Sequence, residues 1–335
     1  MHKKKHNRLA FNPRSWLQPL TCAITMALAS GAQAQTCFDY TGTIENWTVP
    51  DGVTAITAEA WGAAGGDSTW ATPRSGGLGA FMSGDITVTP GDSLKILVGG
   101  QGETDAVGGG GGGSFLTTSS DVPLLVAGGG GGASSDQDGV GAVTGQDGTA
   151  DSLGIIAGGT GGNGGGACAG PNSGGGGGGL TTDGVSVTDG VSTNGGFGGI
   201  AFVNGGTIVP GGRLDNACDG DPAGGFGGGG SATCNTVGGG GGGGYSGGAG
   251  GPHIGMCAAP LRAGGGGGGS FNGGVNQTNT PATRSGNGQI CITILASAPV
   301  PPADARPIPV ASPWLLALTA AVLGLLALAW LRKRA

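Results

Sequence analysis

Gly108 to Gly113, Gly174 to Gly179, Gly238 to Gly244 and Gly264 to Gly269 are unbroken runs of glycine, and glycine supplies 84 of the 335 residues. A run without side chains buries no apolar area, presents no acid or base and holds no metal. Whatever it does, it does with backbone N–H and C=O groups, and each of these needs a partner once it is packed away from water. Ordering one residue costs about 1–2 kcal/mol of backbone entropy, with glycine at the costly end. A six-glycine tract therefore costs on the order of 10 kcal/mol to fix, more than an isolated tract recovers. A bundle changes the balance. Polyglycine in the extended three-fold helix rises about 3.1 Å per residue without internal hydrogen bonds, so its peptide groups point outward. Only glycine lets such helices approach closely enough to bond one another on several sides. Net gains of ~1 kcal/mol per hydrogen bond, with weaker Cα–H contacts, then offset the entropy, provided a scaffold holds the tract ends in register. The chain has no Gly-X-Y period, which excludes collagen.

The tracts repeat together with their borders. Gly108 to Phe115 and Gly264 to Phe271 both read GGGGGGSF, and GGFGG occurs at 195–199 and again at 224–228. Between them lie segments of ordinary β character. Val53 to Trp61 alternates apolar with small or polar residues, Asp85 to Thr89 and Leu94 to Val98 are joined by the turn Thr-Pro-Gly-Asp, and Gln289 to Leu295 makes a closing strand. Short apolar runs recur at 115–116, 123–127, 153–157 and 200–203, and nothing from 36 to 300 carries a helical period. The expected class is all-β.

The two ends read differently. Residues 1–34 have a basic start (Lys3, Lys4, Lys5, Arg8, Arg14), a short apolar stretch from Leu17 to Ala29 and a small-x-small site at Ala32-Gln33-Ala34, the layout of a secretory signal cleaved between Ala34 and Gln35. This implies signal peptidase as a processing partner. Residues 296–312 form a proline-rich, stiff linker. Trp314 to Leu331 is an apolar run of 18 residues before Arg332-Lys333-Arg334. As a helix it reaches roughly 27 Å, close to a hydrocarbon core of about 30 Å, with the basic end cytoplasmic. Residues 313–335 are accordingly expected to be a transmembrane sorting or anchor segment, with membrane contact through 314–331. Between the two ends, twenty acidic residues face six basic ones. This argues against nucleic acid, which needs a basic surface, and suits a soluble surface otherwise poor in charge.

Several ordered segments now identify a resemblance. Val49 to Trp61 (VPDGVTAITAEAW), Leu94 to Gly102 (LKILVGGQG), the following GGGGGGSF, Pro123 to Gly132 (PLLVAGGGGG), Gly224 to Gly248 and Ser285 to Ile294 (SGNGQICITI) follow in the order found in the glycine-rich extracellular domain of anaplastic lymphoma kinase and leukocyte tyrosine kinase receptors and their bacterial relatives. The chain resembles that domain over about residues 37 to 295. The resemblance implies a β-sandwich of the tumour-necrosis-factor-like, jelly-roll kind fused to a bundle of polyglycine-II helices, the glycine-rich domain being placed at 35–295. It does not extend further: there is no HRD or DFG motif, so no kinase activity is implied and no ligand residues of those receptors carry over. The tail resembles a bacterial C-terminal sorting signal of the Ile-Pro-Thr-Leu type through Ile308, Pro309, Pro313 and Trp314, although Val310 and Ala311 replace its last two residues. That layout implies a Gram-negative envelope protein, anchored or released by a dedicated C-terminal sorting protease.

Six cysteines follow the signal: Cys37, Cys168, Cys218, Cys234, Cys257 and Cys291. An even count in an exported chain reads as disulfides, and six cysteines allow about 15 connectivities. Cys37 and Cys291 sit on the first and last expected strands, Cys218 and Cys234 flank the Gly224 tract, and Cys168 with Cys257 follows by elimination. No cysteine or histidine spacing suits zinc. Asp136, Asp138, Asp147 and Asp151 cluster in one loop and Asp215, Asp219 and Asp221 in another; neither matches a calcium loop, and solvated turns are the expectation. His253 is the one histidine beyond the signal, and Ser246 near it lacks a nucleophile elbow or an orienting acid. No catalytic residue, cofactor or metal is expected. The sequence reading is a non-enzymatic, exported cell-surface structural or adhesive protein that displays a rigid glycine-rich module. Loops 133–152, 180–194 and 207–222 are its expected contact surfaces toward a surface ligand. A receptor-type binding module for a protein or glycan and a disordered matrix filler stand as alternatives.

Overall fold

In the computed structural model of the chain, the described residues are 35–70, 72–187, 195–208, 222–232 and 238–297, with helical residues at 321–323, 330 and 332. The described chain is β-rich with almost no helix, as the alternating segments and the missing helical period of residues 36–300 led us to expect. Ten strands form two antiparallel sheets. They are β1 (Gln35–Asp39), β2 (Glu45–Thr48), β3 (Val53–Trp61), β4 (Gly79–Thr87), β5 (Ser93–Leu97), β6 (Ser114–Thr118), β7 (Pro123–Ala127), β8 (Phe271–Asn272), β9 (Val275–Arg284) and β10 (Gln289–Ser297). The first sheet runs β1-β10-β3-β4-β9 and the second β2-β5-β6-β7-β8.

Alternation builds the core. In β3, Val53, Ile56, Ala58 and Ala60 turn inward, and Met82, Ile86, Ile290 and Ile292 join them from β4 and β10. They meet Leu94, Ile96, Leu116, Leu125 and Ala127 of the second sheet. The other face of that sheet is also covered. Leu97, Phe115 and Val126 pack against Leu180, Phe202 and Phe226, which come from the glycine-rich segments. Burial on both faces explains why SFLTT and PLLVA read as continuous apolar runs rather than as alternating strands. On the open face of the first sheet, Asp85 accepts from Asn276 Nδ2 at 2.8 Å and from Thr57 Oγ1 at 2.7 Å. These bonds hold its carboxyl below the usual carboxylate value of 3.8. Its lowered pKa contributes stability that is present above about pH 4 and lost as the pH falls through the folded value; acid titration of thermal unfolding is expected to show this as a small loss.

The strands run directly into the glycine tracts at one end of the sheets. β3 continues into 62–66, β5 into 98–103 and β7 into 128–133, while 108–113 leads into β6 and 264–270 into β8. The tracts then bond to one another with a three-residue recurrence. Gly108 and Gly111 donate to Ala133 and Gly130, Gly109 and Gly112 to Glu103 and Gly100, and Gly110 and Gly113 to Gly230 and Gly227, all at 2.8–3.0 Å. The carbonyls of Gly109 and Gly112 accept from Gly66 and Ala63, and those of Gly108 and Gly111 from Gly240 and Gly243. Tract 238–244 repeats the pattern: Gly239 and Gly242 donate to Ala263 and Gly266, Gly240 and Gly243 to Gly108 and Gly111, and Gly241 and Gly244 to Gly175 and Gly178.

What glycine supplies here is the absence of Cβ. None of the glycines in the four long tracts has a positive φ. A methyl built on Gly108, Gly109, Gly110, Gly111 or Gly112 would lie closer than 3.0 Å to the carbonyl oxygen of Gly66, Ala223, Gly241, Ala64 or Phe226 respectively. Conformational freedom is needed instead at Gly227 and Gly228 (φ +95° and +91°), which reverse the chain after Phe226.

The serine of each GGGGGGSF copy locks strand to tract in the same way. The Ser114 hydroxyl accepts from Gly99 N–H at 3.0 Å and donates to the Trp61 carbonyl at 2.6 Å. The Ser270 hydroxyl accepts from Gly128 N–H at 3.0 Å and donates to the Val143 carbonyl at 2.6 Å. The following phenylalanines also match: Phe115 stacks on Phe202 and Phe271 on Tyr245, with centroids 4.9 and 5.1 Å apart. Ser114→Ala removes both bonds, one of them from the buried Gly99 N–H, and is expected to lower stability by about 1–3 kcal/mol, measurable by denaturant unfolding.

Three segments depart from the sequence reading. Residues 275–284 form an edge strand although they are polar and nearly all exposed. Residues 153–157 and 200–203 are not strands: the first is a turn and the second enters a single turn of 3-10 helix at Phe202–Asn204.

Candidate functional site

Side chains gather where the tracts end. Strand direction shows which end that is. Gln289 lies opposite Trp61, where β3 leaves for its tract, and Ser297 lies opposite Val53 at the other end of the sheet. Gln35 is paired with Thr293 and Asp39 with Gln289. The described chain therefore closes at the end of the sandwich away from the tracts, and the free ends of the tracts form the opposite pole.

At that pole, residues 67–70 and 72–75 and loops 104–107, 134–138, 168–173 and 252–262 are tied to one another. Ser68 and Arg74 exchange backbone bonds of 2.9 and 3.0 Å, and the Ser68 hydroxyl donates to the Ala106 carbonyl at 2.6 Å. Asp67 N–H donates to Thr104 Oγ1 at 2.9 Å. Ser75 N–H donates to Asp138 Oδ1 at 3.0 Å. Arg262 donates to Asp136 Oδ2 through its backbone N–H at 3.1 Å and its guanidinium at 3.4 Å. His253 N–H donates to Ser173 Oγ at 3.1 Å. Cys168 and Cys257 are bridged, with Cα atoms 6.1 Å apart. The exposed large apolar residues at this pole are Trp70, Ile254 and Leu261.

The acidic residues act as caps. Asp151 is buried and its carboxylate accepts the N–H groups of Leu153, Ile155 and Ile156, closing the turn that precedes Ala157. Asp136 and Asp138 are engaged as described above, so this loop is a set of bonded turns in which Asp138 and Asp147 remain exposed. Loop 133–152 is likewise packed: Val140 and Thr149 donate to Gly265 and Gly267, and its exposed residues are Asp138 and 145–147. Among the described residues, no group of three or more histidine, cysteine, aspartate or glutamate side chains is arranged to hold a metal ion. Asp151→Ala is expected to lower stability by about 2–3 kcal/mol by stranding three amides, with the loss seen in thermal unfolding.

Ser246 and His253 stand at opposite ends of the tract between them. Ser246 is fully buried, and its hydroxyl accepts from Gly162 N–H at 3.0 Å. That bond gives it a structural task. Cys37 and Cys291 face each other across β1 and β10 and are bridged, with Cα atoms 4.0 Å apart. Cys218 and Cys234 lie outside the described residues, as do Asp215, Asp219 and Asp221, most of loops 180–194 and 207–222, Ala34 of the cleavage site, and Ile308, Pro309, Pro313 and Trp314 of the sorting motif. Residues 314–331, expected to contact a membrane, are described only at 321–323 and 330, and among the described residues no helix is long and apolar enough to cross a membrane. The two disulfides are consistent with an extracellular or exported protein.

The signals that sequence reading missed are the bordering serines and Asp151. The repeated GGGGGGSF marked Ser114 and Ser270 without saying what they bond, and Asp151 sat among other aspartates in a loop. No protein-family model matches this chain, and no curated protein matches it.

Proposed function

We propose that this chain is a non-enzymatic, exported cell-surface protein with a structural or adhesive role, built as a jelly-roll sandwich of the tumour-necrosis-factor-like kind carrying a bundle of polyglycine-II helices. The observation that carries this reading is the three-residue recurrence of hydrogen bonds between tracts. It is the pattern expected when each helix of three residues per turn bonds neighbours on every side. Such a bundle is stiff and chemically bare, which suits display rather than catalysis.

Polarity supports the same reading. Residues 298–335 continue from Ser297, at the pole of the sandwich opposite the tract ends. A chain held by residues 314–331 in the envelope of a Gram-negative bacterium would present the cross-linked loops around Trp70 and Ile254 outward. Signal peptidase and a C-terminal sorting protease are the processing partners in this proposal, which leaves the domain anchored or released.

The test is digestion of the exported form with a nonspecific protease, followed by disulfide mapping. A resistant fragment spanning about residues 35–297, with Cys37 joined to Cys291 and Cys168 to Cys257, is the expected result. Rapid cleavage throughout the tracts would favour a disordered filler instead.

A further inference from the structure

A cleft of about 180 Å³ opens on the flank of the tracts, where tract 223–226 lies beside 100–103. Tyr40, Phe226 and Ile208 give it apolar walls, and Gln101, Glu103 and Gly224 give it polar ones. The Tyr40 ring is seated over Gly100, where an added methyl would come within 2.9 Å of it. Its centroid lies 6.3 Å from that of Phe226 at an interplanar angle of 56°. Glu103 is held in place by exchange with Ala223. Its N–H donates to the Ala223 carbonyl at 3.0 Å, and its Oε2 accepts from Ala223 N–H at 2.7 Å. Among the described residues, Glu103 Oε1 has no partner. Gly224 is buried, yet among the described residues neither its N–H nor its C=O finds a hydrogen-bond partner.

A buried peptide group without a partner is costly, and Gly224, which has none among the described residues, borders the cleft beside the Glu103 carboxylate and the Tyr40 ring. We propose that this cleft binds one neutral pyranose ring, which would give the adhesive reading above its ligand and which rests on that reading. The chemistry selects this class. The volume is that of about six waters, enough for one sugar ring and too little for an oligosaccharide. Sugar hydroxyls both donate and accept, so they satisfy Glu103 Oε1 and the Gly224 carbonyl while also accepting from Gly224 N–H. An ammonium group has no acceptor for that N–H. An anion would meet Glu103, with no basic side chain among the described residues lining the cleft. The C–H face of a pyranose fits against Tyr40, an aromatic ring with an apolar face and a polar tip.

The experiment titrates the full exported chain with glucose, galactose, mannose and N-acetylglucosamine, and with ethanolamine as the cationic probe, followed by saturation-transfer NMR. At least one pyranose is expected to saturate with a dissociation constant in the millimolar range. Gln101→Ala is expected to weaken it about tenfold through the lost hydrogen bond, and Ile208→Trp to abolish it by filling the cleft. Both positions are exposed, so thermal unfolding should be unchanged. Absence of pyranose binding, equal binding by both variants, or binding of ethanolamine in place of the sugars would overturn the proposal. Protease digestion of the same preparation separates the two readings: a resistant 35–297 fragment without sugar binding overturns this site alone.

Discussion

Gly111→Ala is expected to lower stability by about 3 kcal/mol or more and the melting temperature by on the order of 10 °C. Gly111 is enclosed by other tracts. Its N–H donates to Gly130 and its carbonyl accepts from Gly243, at 2.8 and 2.9 Å. A methyl there meets the carbonyl oxygens of Ala64 and Ala63 at less than 3.0 Å. Those atoms are backbone, so relief requires a whole tract to move, and moving it breaks further inter-tract bonds worth about 1 kcal/mol each. Gly145→Ala is the matched control. That glycine is exposed, has no positive φ and has nothing within 4 Å of an added methyl. Its replacement is expected to leave stability unchanged or raise it by about 0.4–1 kcal/mol through the unfolded chain. If the tracts were independent flexible linkers, the two substitutions would behave alike.

The second large effect concerns Cys37 and Cys291. Their bridge spans a sequence separation of 254 residues. The loop-closure argument assigns such a bridge about 5 kcal/mol, an upper figure because the native structure and the unfolded ensemble both modify it. β1 is an edge strand with one neighbour, and its side chains are mostly exposed, so packing alone holds it weakly. The double variant Cys37→Ala/Cys291→Ala is therefore expected to lose several kcal/mol in denaturant unfolding. It should also show protease clipping near residues 35–40 before the rest of the domain opens. Loss of stability without early clipping would mean that β1 is held by more than its five paired residues.

Part of this architecture is written locally in the chain. Val53 to Trp61 alternates because one side of β3 faces the core, and that alternation is visible in any window of the sequence. The polar residues of β9 carry no such signal. They form a strand because β4 offers an unpaired edge, and Asn276 and Ala282 reach positive φ where the ladder is irregular. A pattern rule sees burial, and β9 buries almost nothing. The tracts are the extreme case. Gly108 to Gly113 has no internal pattern, so the neighbours of each residue are decided by partners up to 132 positions away, as with Gly243 to Gly111 and Gly240 to Gly108. Only the borders are informative: the Ser and Phe that follow 108–113 and 264–269 fix where tract ends and strand begins. The same limit applied to the loops. Asp136 and Asp151 carry no such signal: the amide of Arg262, 126 positions away, and the amides of the following turn at Leu153, Ile155 and Ile156 make them caps. The cleft beside Gly224 was illegible for a related reason, since Tyr40, Gln101 and Gly224 meet only through the packing of the tracts.

Hydrogen exchange of the glycine amides tests the central claim most directly. If the tracts bond one another in a packed body, the amides of Gly110 to Gly113, Gly129 to Gly132 and Gly239 to Gly243 exchange as slowly as those of β3 and β10, and opening them requires unfolding of the domain. Exchange of these amides at the rate of an unstructured peptide, while the strands remain protected, would contradict the account.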